Sequence, residues 1–152
     1  MESLILQQLD YQVFVPTGYH FLIRYLNSIS ASERTKNLSF YYAERLLQEA
    51  EVLDYEPHLV VAGALYAALK QQQQHLPSTQ AFADKAASMP CWNSILETES
   101  GLTEAQVIPV ARIIVAKVAE VSETASKRLL IAAKKKYLQA ALGVSKLPLH
   151  VI

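Results

Sequence analysis

The chain has 152 residues, the size of one compact domain, and it is 51% hydrophobic and 18% charged, which excludes a disordered chain. Lysine and arginine together number 14, as do aspartate and glutamate, so the zero net charge argues against a protein that wraps duplex nucleic acid. The single cysteine, Cys91, excludes an internal disulfide and fits a reducing compartment. With only four glycines and many alanines, leucines, glutamines and glutamates, the composition favours an all-α fold.

The first part of the chain predicts a short helix followed by an extended connector. Met1 to Leu9 has the pattern of the last turns of a helix, with apolar residues at Leu4, Ile5 and Leu9. Tyr11 to Val15 alternates like a strand, but a lone strand has nothing to pair with. We therefore predict an extended connector that ends at Pro16.

Two amphipathic helices are predicted next. Thr17 is expected to cap a helix from about Gly18 to Ile29. The second helix is predicted from about Asn37 to Leu53, and its apolar stripe consists of Tyr42, Ala43, Leu46, Leu47, Ala50 and Leu53.

The stretch from Pro57 to Leu69 predicts the central helix of a bundle. Proline suits the first position of a helix, and no charged residue follows His58 before Lys70. A helix without a polar face must be covered on most sides, so the other helices should surround this one. It is too short to span a membrane, which takes roughly 20 apolar residues.

Several shorter signals follow the central helix. Residues 79–87 predict one weak helix, and Trp92 to Glu99 predicts a short helix with Trp92, Ile95 and Leu96 facing inward. Thr103 and Gln106 have the spacing of a capping box, and Leu102 and Val107 that of a hydrophobic staple.

The capping box predicts a helix that runs to about Val121 and that Pro109 bends or loosens at its start. A last helix is predicted from residue 124 or 125 to residue 142, where Gly143 ends it and an extended tail follows. This helix is basic, through Lys127, Arg128, Lys134, Lys135 and Lys136. Nucleic-acid contact is one hypothesis for these cations, and the favoured alternative is that they stabilise the helix dipole.

No pattern of catalytic, metal-binding or cofactor-binding residues stands out. The histidines share no metal-ligand spacing and the glycines are scattered, so we expect neither a metal nor a cofactor. A catalytic carboxylate pair is conceivable in one acidic stretch, but a solvated helix face is the favoured interpretation of Glu44, Glu49, Glu51, Asp54 and Glu56. Cys91 is interpreted as a half-buried structural cysteine, because the sequence pairs no histidine with it.

Several stretches, in order, resemble the second cyclin box of mitotic (A- and B-type) cyclins. Met1 to Tyr11 resembles the end of the first box's last helix, and Val15 to Leu26 resembles the Pro-Thr-x-x-x-Phe-Leu entry to the second box. The other matching stretches are Leu53 to Tyr55, Val61 to Leu69, Leu102 to Glu104, Ile108 to Val110, Lys134 to Tyr137 and Gly143 to Leu149.

The resemblance implies five helices around a central third helix, here with an extra C-terminal helix. It implies a connector at residues 1–15, the second box at 16–142 and a tail at 143–152. The motif residues to which it gives structural roles are Pro16, Thr17, Phe21, Leu22, Ala62, Gly63, Pro109 and Tyr137. It further implies a non-catalytic regulatory subunit of a cyclin-dependent protein kinase in cell-cycle control, located in the nucleus or the cytoplasm.

Nearly the whole first box, which holds most kinase contacts in the family, is absent from these 152 residues. We hypothesise that the second box braces the first, and that the docking residues are Leu4, Ile5, Leu9 and Tyr11. Without that cover, their apolar face is expected to drive self-association into a dimer at high concentration. The alternatives are a cyclin-like adaptor with another partner and a nucleic-acid-associated helical domain of the transcription-factor type. No membrane partner is expected.

Overall fold

A computed structural model of the chain describes residues 1–74 and 91–123, and all regular structure in these ranges is helical. The helices, in chain order, are α1 (Glu2–Gln8), α2 (Gly18–Ser28), α3 (Glu33–Leu46), a 3-10 helix (Ala50–Asp54), α4 (Pro57–Gln74), α5 (Ser94–Ser100) and α6 (Glu104–Glu123). The predicted all-α class is confirmed.

Helix α4 lies at the centre of the bundle and packs against α2, α3 and α6. Every residue from Val61 to Ala68 is buried, and Ala62, Ala64, Leu65 and Ala68 have no exposed surface. As predicted from its lack of a polar face, this helix is covered on several sides by neighbouring helices. Among the α-helices of the described residues, it is the third counted from α2.

Small residues let α4 and α6 approach closely. A Cβ atom added at Gly63 would lie 2.8 Å from Cγ1 of Val110 and 3.2 Å from the backbone nitrogen of Ala111. Both of these α6 residues are themselves fully buried. The absence of a side chain at Gly63 therefore sets the distance between the two helices.

Polar side chains cap the helices and fix where they begin. The hydroxyl of Ser32 accepts a 3.2 Å hydrogen bond from the backbone N–H of Thr35, which starts α3. The backbone N–H of Thr103 donates to Oε1 of Gln106 at 2.9 Å, as the capping box predicts. Leu102 and Val107 are both buried beside this cap.

The structure corrects the predicted helix from Asn37 to Leu53. Helix α3 begins earlier, at Glu33, because Ser32 caps it, and it ends at Leu46. The chain then becomes extended at Glu49 and continues as a 3-10 helix. Three residues of the predicted apolar stripe are consequently exposed, with Leu47 at 85%, Leu53 at 83% and Ala50 exposed as well.

The prediction around Trp92 is confirmed in part. Trp92 and Leu96 are buried, but Ile95 is 49% exposed and was wrongly assigned to the interior. Helix α5 begins at Ser94, because the side chain of Asn93 accepts a 2.9 Å hydrogen bond from the N–H of Leu96. Trp92 precedes the helix, where its indole N–H donates to the carbonyl of Leu102 at 2.8 Å.

Helix α6 runs through Pro109, which lies in its interior. The predicted weak helix at 79–87, the basic last helix and the tail at 143–152 lie outside the described residues.

Candidate partner-binding surface

Helix α1 exposes its apolar side chains instead of packing them into the bundle. None of its residues is buried, and Leu4, Ile5 and Leu9 are 65%, 55% and 49% exposed. Tyr11, the fourth predicted docking residue, is 64% exposed and follows in a turn with a positive φ of 59°. All four predicted docking residues are therefore accessible.

The connector after α1 is also apolar and exposed, and the predicted docking residues do not include Val13, Phe14 or Val15. Val13, Phe14 and Val15 are 64%, 85% and 66% exposed. Phe14 lies edge-on to the imidazole of His20, with 6.2 Å between ring centroids. We call Leu4, Ile5, Leu9, Tyr11, Val13, Phe14 and Val15 together the N-terminal apolar arm. The run of three consecutive apolar residues at Val13, Phe14 and Val15 was the signal that could have found this extension.

The entry motif joins the arm to the bundle. Thr17 is the N-cap of α2, and its backbone N–H donates to Nδ1 of His20 at 3.2 Å. Leu22 is fully buried, and Phe21 packs at the edge of the core beside the His58 ring, 6.0 Å away. These motif residues hold the start of α2 in place, so they orient the arm that precedes it.

The acidic stretch forms ion pairs with α6, and this corrects the interpretation of a solvated face for one of its residues. Glu49 is only 18% exposed at its side chain and lies 2.6 Å from Nη2 of Arg45 and 3.9 Å from Nζ of Lys117. The same lysine lies 2.9 Å from Oε1 of Glu51. Arg45 and Lys117 thus hold the two carboxylates in a structural network that connects α3, the 3-10 helix and α6.

Cys91 is buried, and its thiol donates to Oε1 of Gln73 at 2.8 Å. Burial raises the pKa of this thiol, and nearby Lys70 only partly opposes that effect. A protonated, enclosed thiol is a poor nucleophile, as expected for a structural cysteine.

In residues 1–74 and 91–123, no group of three or more histidine, cysteine, aspartate or glutamate side chains is placed to hold a metal ion. No helix in these ranges is long and apolar enough to cross a membrane. Tyr137 and the basic residues of the predicted last helix lie outside the described residues, so the nucleic-acid hypothesis stays a prediction.

Comparison with known proteins identifies relatives over most of the chain. Residues 16–149 match the family model "Cyclin, C-terminal domain". The chain is 31% identical to Cyclin-B1-3 of Oryza sativa subsp. japonica over 96% of its own length and 27% of that protein. It is 28% identical to G2/mitotic-specific cyclin-B of Dictyostelium discoideum, over 93% of its own length and 29% of that protein.

The chain thus spans less than a third of the length of these relatives, with 27% of one and 29% of the other covered. The matched range contains the entry to α2, the central helix α4, and helix α6, which packs closely against α4. The chain belongs to the cyclin family, and its residues 16–149 correspond to the cyclin C-terminal domain.

Proposed function

We propose that this domain is the non-catalytic brace of a cyclin that activates a cyclin-dependent protein kinase in cell-cycle control, inside the nucleus or cytoplasm. The N-terminal apolar arm docks it onto a first cyclin box, and that box makes most of the kinase contacts. The observation that carries the proposal is the contrast between a closed core, with α4 buried from Val61 to Ala68, and an arm with no buried residue in α1.

Exposure of the arm is costly unless a partner covers it. Fully burying a leucine, isoleucine or phenylalanine side chain contributes about 1.5–3 kcal/mol. Leu4, Ile5 and Phe14 are each more than half exposed, so the arm offers several such contributions to an interface. The resemblance of Met1 to Tyr11 to the end of a first box points to that box as the partner.

Kinase binding and activation test the proposal, with the 152-residue chain compared against a chimaera. In the chimaera, the part of rice Cyclin-B1-3 that precedes the matched region is fused ahead of Met1. We expect the chimaera to bind and activate a cyclin-dependent kinase and the chain alone to do neither. Changing Leu4 and Ile5 to serine in the chimaera should weaken activation, whereas Ile95→Ser, at another exposed isoleucine, should not. An inactive chimaera with folded domains would contradict the proposal.

The same exposed arm predicts that the isolated chain self-associates at high concentration, because two arms can cover each other. Sedimentation velocity should show a dimer that dissociates on dilution. The double variant Leu4→Ser/Leu9→Ser should remain monomeric, and Ile95→Ser should dimerise like the unmodified chain. A monomer at every concentration would contradict self-association through the N-terminal apolar arm.

A further inference from the structure

A groove separate from the arm lies between α2, α3, the 3-10 helix and the start of α4. It has a volume of about 610 Å³, within the size range typical of ligand sites. Its apolar walls include Tyr19 from α2, Phe40 and Leu47 from the α3 region, Leu53 from the 3-10 helix, Tyr55 and Val60.

Folding of the domain does not account for the leucines at the rim of this groove. Leu46 and Val52 are buried, whereas their sequence neighbours Leu47 and Leu53 are 85% and 83% exposed. Tyr19, on the opposite wall, is 58% exposed. Large apolar side chains that gather around a concavity without entering the core indicate a contact surface.

The groove is negatively charged. Its charged lining residues, within the described part of the chain, are the glutamates Glu44 and Glu49, with no lysine or arginine among them. Asp54 and Glu56, both exposed, flank the wall residue Tyr55. Arg45 and Lys117 neutralise Glu49, and the Glu56 carboxylate lies 3.2 Å from Nδ1 of His58, so the exposed Asp54 is the chief source of negative potential at the rim.

We propose that this groove binds a short segment of a partner protein in which apolar side chains are flanked by lysine or arginine. The apolar walls take the apolar side chains, and the carboxylates at the rim attract and select the cations. The N-terminal apolar arm of a second copy is not the matching occupant, because residues 1–15 contain Glu2 and Asp10 and no lysine or arginine. The inference goes beyond the kinase proposal and does not depend on it.

Fluorescence anisotropy with labelled ten-residue peptides tests the groove on the 152-residue chain. One panel carries leucine or phenylalanine at two positions and arginine at both ends. A second panel replaces the arginines by glutamate, and a third replaces the apolar residues by serine. We expect binding from the first panel that weakens with added salt, and at least about ten-fold weaker binding from the other two.

Two variants locate the binding site without disturbing the core. Leu53→Ser and Asp54→Lys change exposed groove residues and should each weaken binding about ten-fold, with an unchanged Tm. The matched controls, Ile95→Ser and Glu97→Lys, change exposed residues of α5 and should bind normally.

The proposal is overturned if glutamate-flanked peptides bind as well, if no peptide binds, or if the α5 controls lose as much affinity as the groove variants. It is equally overturned if Leu53→Ser abolishes dimerisation and the dimer competes with the peptide. In that case the groove takes a second copy of the chain.

Discussion

Replacing Gly63 by valine is expected to lower the free energy of unfolding by about 3 kcal/mol. The new Cβ atom would lie 2.8 Å from Cγ1 of Val110 and 3.1 Å from its Cβ. Val110 is fully buried and branched at Cβ, so it cannot rotate away cheaply. The backbone nitrogen of Ala111, 3.2 Å away, can move only if α6 moves.

Alanine at the same position sets two effects against each other. Gly→Ala in a helix interior gains about 1 kcal/mol of helix propensity, whereas the clash costs about 1–3 kcal/mol. We therefore expect Gly63→Ala to be destabilising by about 1 kcal/mol, in spite of its better propensity.

Urea denaturation followed by circular dichroism measures both Gly63 variants. The matched control is Ala116→Val, at an exposed position of α6, which should change the free energy of unfolding by no more than about 0.7 kcal/mol. If Gly63→Val were as stable as the control, α4 and α6 would not be in the close contact described.

The sequence predicted the centre of the fold well because the signals there are local. The apolar run from Val61 to Ala68 requires cover on several sides, and Thr103 with Gln106 specifies a helix start within a few residues. The end of α3 was missed because apolar residues at helical spacing continue across it, at Leu47, Ala50 and Leu53, although all three are exposed in the structure.

The arm comes from one continuous stretch of sequence, whereas the groove is assembled from separate segments. Leu4, Ile5, Leu9 and Tyr11 were assigned as docking residues from the resemblance of one continuous stretch, and that assignment stays a prediction. The groove was not predictable, because its walls come from four segments that only the folded chain brings together. Two of its residues, Leu47 and Leu53, had even been assigned to the buried stripe, since spacing alone cannot show where a helix stops.

Replacing Glu49 by glutamine is expected to lower the free energy of unfolding by about 3 kcal/mol. The Arg45 side chain is only 5% exposed, and its Nη2 lies 2.6 Å from Oε1 of Glu49. Within the part of the chain that the structure describes, its Nε and Nη1 atoms have no hydrogen-bond partner. Removing the Glu49 charge therefore leaves a buried guanidinium without the anion that compensates it.

A double-mutant cycle with Arg45→Met separates this electrostatic cost from the loss of packing. In the Arg45→Met background there is no buried guanidinium for Glu49→Gln to leave without its counterion. Lys117 keeps its 2.9 Å contact with Glu51 in both variants. We expect a coupling energy of about 2 kcal/mol between the two changes.

The surface pair of Glu33 and Lys36 provides the reference for this cycle. Their charged atoms are 3.7 Å apart, and the Glu33 side chain is 79% exposed, so Glu33→Gln should cost no more than about 0.5 kcal/mol. If chemical denaturation found Glu49→Gln as mild as Glu33→Gln, water would have to reach Arg45 and solvate it. The network would then stabilise the junction of α3 and α6 no more than a surface ion pair does, and the turn after α3 would depend on the burial of Val52 alone.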